Sequence, residues 1–340
     1  MTMLWFLIIV VIVVALTFDF VNGWNDSANA IATVIATRVM SPAVAVAMAA
    51  ILNLGGALIG VEVADTMSKI IRVGPQFSYV TQEASLVIVV AGLASAAIWA
   101  ALMTVFGMPI SGSHSLIGGV VGAGVAAAGA KMLVGATIKK TLLAMLLAPL
   151  MGFIVSYFFY VALIWITVKW RPSTMNRTFG KLQILSACAM AITHGTNDAQ
   201  KVMGIITMAL IAGGIQTPNP NGTFEVWLSV KIACAAAIGI GTAAGGWGVI
   251  KTLGHHLTKL GPPEGFAAET SASIVLTVAA WFGVPTSSTH TITGSILGLG
   301  ATRGMSSVRW GLGEKIILAW VFTLPSTIVM GGGQIGRAHV

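Results

Sequence analysis

Two Asn-Asp dipeptides place carboxylates in the middle of long apolar stretches. Asn25-Asp26 and Asn197-Asp198 each lie in a Gly-x-Asn-Asp pattern among further amides. An ionisable side chain inside a bilayer usually belongs to an ion or substrate site, because an unpaired charge is costly in hydrocarbon. No Arg lies near either dipeptide, and the nearby Lys is Lys201. We therefore expect Asp26 and Asp198 to bind cations from solution or to carry protons.

The same segments contain the oxygen ligands that a small hard cation prefers. Carboxylates, Asn amide oxygens and backbone carbonyls freed at a helix break suit an ion such as Na⁺. The glycine and amide cluster therefore predicts a broken helix with a bound cation at each dipeptide. The alternative is that Asn and Asp only cap the broken helices.

A second pair of motifs has the residue types of an anion site. Pro109-Ile-Ser-Gly-Ser-His114 and Pro285-Thr-Ser-Ser-Thr-His290 each follow a Gly and open a new apolar run. Pro and Ser or Thr favour a helix start, whose unpaired N–H groups and positive dipole end suit phosphate-like oxygens. Simple helix caps at the water interface are the alternative. The two histidines either carry protons near neutral pH or steady the loop through hydrogen bonds.

Composition places these motifs in a membrane. Of the 340 residues, 56% are hydrophobic and 8% are charged, and the mean hydropathy is +0.91, whereas soluble domains have about 25% charged residues. Residues 1–16 are apolar without Lys or Arg, which predicts a first span rather than a secretory signal. The basic residues are scattered, which excludes a nucleic-acid surface. Cys188 and Cys234 lie in apolar runs and provide neither a disulfide framework nor a metal cluster.

Both motifs recur at a nearly constant spacing. Asp26 and Asp198 lie 172 positions apart, and His114 and His290 lie 176 apart. Gly122 and Gly298, Lys139 and Lys315, and Pro149 and Pro325 are also 176 positions apart. Two motifs in constant register predict that the chain consists of two homologous halves.

The basic segment 169–181 separates a first transmembrane repeat, 1–168, from a second, 182–334. It has no acidic residue and is predicted to be a cytoplasmic linker. The equivalent loops 61–83 and 250–264 differ in charge, since the first is acid-balanced and the second is basic. Because basic loops tend to be cytoplasmic, this difference in charge predicts that the two loops lie on opposite sides of the membrane. Equivalent loops on opposite sides indicate inverted-topology repeats, the architecture of many secondary transporters.

Several apolar runs beside the motifs are shorter than the roughly 20 residues of a spanning helix. We interpret them as half-helices, re-entrant hairpins or tilted spans, and they cover 25–37, 109–129, 182–194 and 286–301. With the longer runs they predict roughly 8–12 spans. The predicted fold is an all-α polytopic membrane protein of two inverted-topology repeats with broken or re-entrant helices at the midplane.

An anion beside several carboxylates is repelled unless cations lie between them. Cation binding then raises the affinity for the anion, and the reverse holds equally. This linkage predicts cotransport. Glu269, which opens an apolar run, is a further candidate for a buried carboxylate, whereas Glu83 is interpreted as a loop residue.

Taken together, the motifs resemble those of the inorganic phosphate transporter (PiT) family. The resemblance covers about residues 15–334 and rests on both Gly-x-Asn-Asp segments, both Gly-x-Pro-x-Ser-x-x-His motifs, 246–254 and 265–269. It implies a secondary active transporter, not an enzyme, which carries inorganic phosphate with Na⁺ or H⁺ across the cytoplasmic membrane by alternating access. The short central linker resembles bacterial members.

The resemblance also implies roles for individual residues. It assigns phosphate binding to Ser111, Gly112, Ser113, Ser287, Ser288, Thr289, Asn25 and Asn197. It assigns cation binding to Asp26, Asp198, Asn22, Asn29 and Thr196. It assigns supporting roles to His114, His290, Glu269 and Gln200. No cofactor is implied beyond a bound Na⁺, and the implied partners are phosphate, the coupling cation and the lipid bilayer, with a homodimer compatible with the family.

The chain departs from the family pattern at two places. Asn53 stands where eukaryotic members have a glutamate, while Glu269 keeps the carboxylate of the second half. Residues 335–340 resemble the translation of a common sequencing-library adapter, so we expect them to be a non-native tail.

Three other functions compete with phosphate transport. A sulfate or other oxyanion permease of the same family would have the same motifs. An intramembrane hydrolase would use Ser111 or Ser113 with His114, but a nucleophile needs one site rather than two copies. A channel or structural membrane protein would not need two polar motif sets in register.

Overall fold

The computed structural model describes residues 2–72, 80–217, 219 and 225–336, without the side chains of residues 2, 255, 256 and 305. Part of the loop predicted at 61–83, and residues 337–340 of the predicted tail, lie outside this range. The described residues form twelve α-helices and no strand beyond an isolated bridge. The helices are α1 Thr2–Ala36, α2 Pro42–Ala57, α3 Glu62–Ser68, α4 Gln82–Val105, α5 Gly112–Ala128, α6 Gly135–Thr167, α7 Pro172–Ala212, α8 Leu228–Ala244, α9 Trp247–Lys251, α10 Pro262–Trp281, α11 Ser288–Ala301 and α12 Trp310–Gly336.

The apolar helices make this a multi-pass membrane protein. In the described chain, α1, α4, α6 and α12 are long and apolar enough to cross a bilayer. The pairs α2–α3 and α8–α9 are bent by 71° and 63°, and counting each as one span gives up to 6 spans by length and composition. This is fewer than the sequence predicted, because α5 and α11 are short and α7 combines apolar turns with many polar residues.

The helices α1 and α7, which contain the two Asn-Asp dipeptides, run antiparallel. Thr37 near the end of α1 donates to Gln183 near the start of α7, at 2.9 Å. Asn22 lies 3.5 Å from Asp198 in the middle, and a Cβ on Gly213, just after α7, would touch Ile8. Because α1 and α7 are repeat equivalents, the two halves have opposite orientations. The predicted inverted repeat is confirmed.

Packing between the halves follows the same symmetry. Helix α1 packs on α4 and α8, as α7 packs on α10 and α2. Helix α5 packs on α12 of the other half, and α11 packs on α6. Each half therefore buries elements of the other, and the core is shared between them.

The predicted helix breaks at the Asn-Asp dipeptides are wrong. Both α1 and α7 continue through them as regular helices. Their glycines serve close packing instead, because a Cβ on Gly23 would collide with the carbonyl oxygen of Ile238 in α8. A Cβ on Gly195 would likewise collide with the carbonyl oxygen of Asn53 in α2. The backbone carbonyls at these positions stay inside the helices and do not become ion ligands.

The helix pairs α4–α5 and α10–α11 form hairpins, whose second arms cover the short runs 109–129 and 286–301, for which a re-entrant hairpin was one of the predicted forms. Helix α4 is long enough to cross a bilayer by itself, but here it is the first arm of a hairpin. The chain before α4 pairs with the chain after α5, through Arg72 N to Met132 O at 2.7 Å. The chain before α10 pairs in the same way with the chain after α11, through Arg309 N to Leu257 O at 3.1 Å. Each hairpin thus enters and leaves on the same side, and its tip holds a Pro-Ser-His motif after a glycine with positive φ, Gly107 or Gly283.

We predict that Gly56→Ala destabilises the protein whereas Gly55→Ala does not. A Cβ on Gly56 would collide with the carbonyl oxygen of Ile192 in α7, while a Cβ on Gly55 has no atom within 4 Å. Overpacking costs about 1–3 kcal/mol, whereas Ala at an open helix position favours the helix by about 1 kcal/mol over Gly. Thermal unfolding in detergent measures the difference. Equal stability of the two variants would contradict this α2–α7 contact.

Candidate functional site

The centre of the site is a pair of buried polar faces on α1 and α7. Asn22, Asp26 and Asn29 lie on one face of α1, since they are spaced four and three residues apart. Their repeat equivalents at the offset of 172 are His194, Asp198 and Lys201 on α7. All six side chains are buried. The antiparallel crossing turns the two faces toward each other, away from lipid.

The tip of the second hairpin closes one side of this centre. Ser288 Oγ lies 2.8 Å from Asp198 and 3.3 Å from Asp26, and Thr289 donates to Asp26 at 2.7 Å. Asn29 donates to the same two hydroxyls, at 3.3 Å and 3.1 Å. The N-terminus of α11 therefore lies directly against both aspartates.

The tip of the first hairpin closes the opposite side. Gly112, the first residue of α5, packs so closely that a Cβ there would overlap the Asn22 amide. Ser113 donates to the Thr286 carbonyl of the second hairpin at 3.0 Å. The two hairpin tips thus meet each other as well as the two crossing helices.

Both hairpin helices start as the sequence predicted, with a serine cap. Ser111 accepts from the N–H of His114 at 3.1 Å, and Ser287 accepts from the N–H of His290 at 3.3 Å. An N-cap of this kind holds the first turn in place and leaves the remaining N–H groups facing the site. The structure therefore gives these two serines a capping role, with phosphate binding as a separate expectation.

His194 belongs to the centre of the site, although the sequence analysis gave it no role. Its Nε2 lies 3.0 Å from Asp198 and 3.6 Å from Asp26, and its Nδ1 lies 3.1 Å from the Asn53 amide oxygen. The ligand atoms of His194 and the two aspartates lie within 4.8 Å of one another. Its position four residues before Asp198, equivalent to Asn22, was the available signal.

Lys201 distinguishes the two aspartates. It is 3% exposed, forms an ion pair with Asp198 and donates to the Thr286 carbonyl at 2.7 Å. Asp198 therefore has a charged partner within the chain itself, and cation binding by Asp198 stays a prediction. Asp26 has Asn29 where Asp198 has Lys201 and forms no ion pair with Lys or Arg among the described residues.

Two buried amides on the same face of α1 as Asp26 have oxygens without hydrogen-bond partners among the described residues. The Oδ1 atoms of Asn22 and Asn29 accept no hydrogen bond from any described residue. Such oxygens are rare in proteins, because burial without a partner is unfavourable. Carboxylate and amide oxygens together are ligands of hard cations. The face of α1 at Asp26 therefore has the oxygens for a cation such as Na⁺.

Asn25 and Asn197, which the resemblance assigned to phosphate, brace the hairpins in this structure. Asn25 donates to Thr104 at 2.8 Å and to the Met108 carbonyl at 3.3 Å. Asn197 donates to the Leu276 carbonyl of α10 at 3.4 Å. Their Oδ1 atoms have no partner among the described residues.

Thr196 and Gln200 lie on other faces of α7. Thr196 donates to the carbonyls of Gly56 and Ile192 and does not reach the two aspartates, so the structure does not place it with the expected cation ligands. Gln200 accepts from the N–H of Val63 at 2.8 Å and so caps α3. Their positions on the helix explain this, since two residues either side of Asp198 point away from its face.

Glu269 lies in a separate polar cluster. Its carboxylate accepts hydrogen bonds from Thr33 of α1 and Ser186 of α7. It is fully buried, as predicted. Since Thr33 lies seven residues after Asp26, this cluster is about two helical turns from the centre.

The rings of His114 and His290 lie against each other at a tilt of 36° at the hairpin tips. Their ring centroids lie 4.6 Å apart, and His290 also stacks on Trp320 of α12 at 3.8 Å. Trp320 in turn donates to the Pro109 carbonyl at 3.0 Å. These ring contacts steady the tips, but not through the hydrogen bonds that were predicted, because His114 Nδ1 and His290 Nε2 have no partner among the described residues.

Comparison with known proteins agrees with this geometry. Residues 22–331 match the phosphate transporter family. A probable low-affinity inorganic phosphate transporter of Rhizobium meliloti is 43% identical over 95% of this chain and 94% of its own length. One of the same description from Bacillus subtilis is 38% identical over 97% of both chains.

The fold is that of a solved structure described as the sodium-dependent phosphate transporter. It superposes with a TM-score of 0.84 over 99% of both chains, at 22% sequence identity. The relatives and the fold are those of transporters, so the hydrolase alternative that used Ser111 or Ser113 with His114 is not supported. With its family match spanning both hairpins and both Asn-Asp helices, the chain belongs to the phosphate transporter family.

Proposed function

We propose that this protein takes up inorganic phosphate together with a cation, Na⁺ or H⁺, across the cytoplasmic membrane by alternating access. The observation that carries the proposal is the position of Asp26. Asp26 lies on the same face of α1 as Asn22 and Asn29, whose amide oxygens have no partner among the described residues, and directly against the N-terminus of α11. Cation ligands and anion donors therefore share one buried space. The bacterial relatives support a cytoplasmic-membrane location.

The anion side consists of the hairpin tips. The helices α5 and α11 direct their N-termini at the centre, and their first turns supply Ser113, Ser288 and Thr289. Unpaired N–H groups and the positive end of a helix dipole favour an oxyanion. Lys201, which is paired with Asp198, lies beside the Thr286 carbonyl of the second tip.

The hydrogen bonds of the second tip suggest how cation and phosphate are linked. Ser288 and Thr289 now direct their hydroxyls to carboxylates, so these donors are not free for phosphate. A cation on Asp26, held by the amide oxygens, would replace those hydrogen bonds and release the hydroxyls to the anion. Such linkage is typically worth about 1–3 kcal/mol.

The inverted hairpins support alternating access. Each enters from its own side of the membrane and ends at the shared centre, where Ser113 joins it to the other through Thr286. Movement of one hairpin tip away from the centre would open the site to one side of the membrane, while the other tip kept it closed to the opposite side. Rocking of one repeat against the other around a fixed site is the usual motion of such folds.

Uptake of labelled phosphate into proteoliposomes tests the proposal. We expect uptake of phosphate by the purified full chain, driven by a Na⁺ gradient or a pH gradient, with excess sulfate a poor competitor. Strong competition by sulfate would instead favour the oxyanion-permease alternative. Liposomes without protein are the control, and uptake no faster than theirs would refute phosphate transport.

We predict that Asp26→Asn abolishes gradient-driven phosphate uptake without unfolding the protein. The amide keeps an acceptor for the Thr289 hydroxyl, but it removes the charge that would hold the cation. Phosphate uptake and size-exclusion chromatography measure transport and folding. Asp65→Asn on α3, which removes a half-exposed pair with Lys69, is the matched control. Wild-type uptake by Asp26→Asn would contradict the cation assignment.

We predict that Ser288→Ala weakens phosphate binding by about tenfold or more. Hydrogen bonds to charged groups contribute about 1.5–3 kcal/mol, and about 1.4 kcal/mol corresponds to a factor of ten. The apparent KM for uptake measures the loss. Ser95→Ala is the control, because the Ser95 hydroxyl bonds only its own helix, at the Ala91 carbonyl. An unchanged KM in Ser288→Ala would leave that hydroxyl with a purely structural role.

A further inference from the structure

A polar pocket lies at the base of the second hairpin, away from the site of Asp26 and Asp198. It has a volume of about 370 Å³, which is within the range of small-ligand sites. It lies where the chain before α10 meets the chain after α11, two segments that the Arg309 N–H joins to the Leu257 carbonyl at 3.1 Å. Its lining consists of hydroxyl and basic side chains, those of Thr258, Ser306, Ser307, Lys259, Arg303 and Arg309.

The pocket is on the side of the membrane where α6 ends and the basic linker 169–181 begins. Its residue Arg303 contacts Tyr160, in the last turns of α6. The positive-inside rule assigns this side to the cytoplasm. The two ends of the 14-residue helix α11, one at the hairpin tip and one at the base, are about 20 Å apart. A ligand in the pocket therefore does not overlap with a ligand at the tip.

Arg303 is held from behind at the wall of the pocket. It forms an ion pair with the buried Glu264 of α10, and it donates to the Tyr160 hydroxyl at 3.3 Å. It also donates to the Lys259 carbonyl at 3.1 Å. An Arg side chain has more N–H donors than these contacts use, and 38% of this side chain is exposed. Arg303 is thus fixed in orientation, with donors left for a ligand.

The other two basic side chains of the pocket have no such partner. Lys259 and Arg309 are exposed, and neither side chain makes a hydrogen bond or an ion pair with any described residue. Glu264 offsets the charge of Arg303, whereas those of Lys259 and Arg309 stay uncompensated within the described chain. A phosphate group carries a charge of about −1.5 to −2 near pH 7 and has strong acceptor oxygens. It therefore matches the pocket in charge and in hydrogen bonding.

The hairpin fold does not require these charges. The first hairpin ends in the same way, with a glycine of positive φ, a short 3₁₀ helix and then the next long helix. There Ala128 and Val134 stand where the second hairpin has Arg303 and Arg309, 175 positions later. Basic residues are common at the cytoplasmic end of membrane helices, but that tendency does not direct them into one cavity.

We propose that this pocket binds a phosphate group from the cytoplasmic side, either inorganic phosphate or the headgroup of an anionic lipid such as phosphatidic acid. Lys259 from the chain before α10 and Arg309 from the chain after α11 bind its oxygens, and Arg303 and the Ser306 hydroxyl add hydrogen bonds. Basic pockets between membrane helices on this side suit phosphate-containing headgroups. The bound group joins the two arms of the hairpin and stabilises its base.

Hydrogen exchange of the backbone amides at 302–309 tests this site, with the purified full chain in nanodiscs. In phosphatidylcholine nanodiscs, slower exchange on addition of inorganic phosphate would identify free phosphate as the ligand. Slower exchange in nanodiscs that contain phosphatidic acid, without added phosphate, would identify the lipid headgroup. We expect at least one of these two effects. Exchange that neither phosphate nor phosphatidic acid slows would overturn the proposal.

Charge-removing variants show whether the protection comes from the pocket. Combining Lys259→Gln with Arg309→Gln should raise the concentration of phosphate or phosphatidic acid needed for half protection by about tenfold or more. Each single replacement should have a smaller effect. Arg177→Gln removes an exposed charge on the same side, outside the pocket lining, and should match wild type. Wild-type protection in the double variant would contradict binding in this pocket.

Ser288→Ala separates this pocket from the site at the hairpin tip. We expect the protection of 302–309 to keep its wild-type dependence on phosphate or phosphatidic acid in Ser288→Ala. A change in parallel with the KM for uptake would mean that the protection originates at the tip, and the proposal would fail. Wild type that takes up no phosphate would refute the proposed function but leave the exchange measurement at 302–309 valid.

Discussion

The structure depends on the crossing of two helices that each contain a carboxylate in a membrane. A charge in hydrocarbon is tolerated only with partners, and the antiparallel crossing of α1 and α7 supplies them by turning both polar faces inward. The crossing is possible because glycines let α2 and α8 pack directly against the backbones of these helices. The re-entrant hairpins then cover the sides of the two carboxylates that the helix crossing leaves open, with hydroxyls and helix N-termini. Each feature of the fold thus serves the burial of Asp26 and Asp198.

The two repeats share a backbone plan but differ in charge. Asp198 is paired with Lys201, whereas the equivalent neighbour of Asp26 is the neutral Asn29. His194 on α7 is matched by Asn22 on α1, whose amide oxygen has no partner in the described chain. A symmetric scaffold therefore holds an asymmetric site, in which Asp198 has a lysine partner and Asp26 has none among the described residues. This difference in charge between the repeats, rather than the backbone fold, is the reason to propose a cation at Asp26.

Much of the fold could be predicted because its signals are local. Pro, Gly and Ser at 107–113 and 283–289 specify a turn and a capped helix start wherever they occur. The repeat followed from residue spacing alone. The helix breaks were mispredicted because a glycine that permits close helix packing looks the same in sequence as one that ends a helix. Helical spacing indicates that Thr196 and Gln200 point away from the face of Asp198, whereas their membership of the motif does not.

Other parts of the site could not be predicted, because they depend on how the halves meet. The pairing of His194 with Asp26 requires the antiparallel register of α1 and α7. The same symmetry has a consequence for the order of folding. Because α5 packs on α12, the second arm of the first hairpin lacks this neighbour until α12 has left the ribosome. During synthesis its polar tip therefore stays in the translocation machinery or among lipids. The two halves complete their folding together and not one after the other.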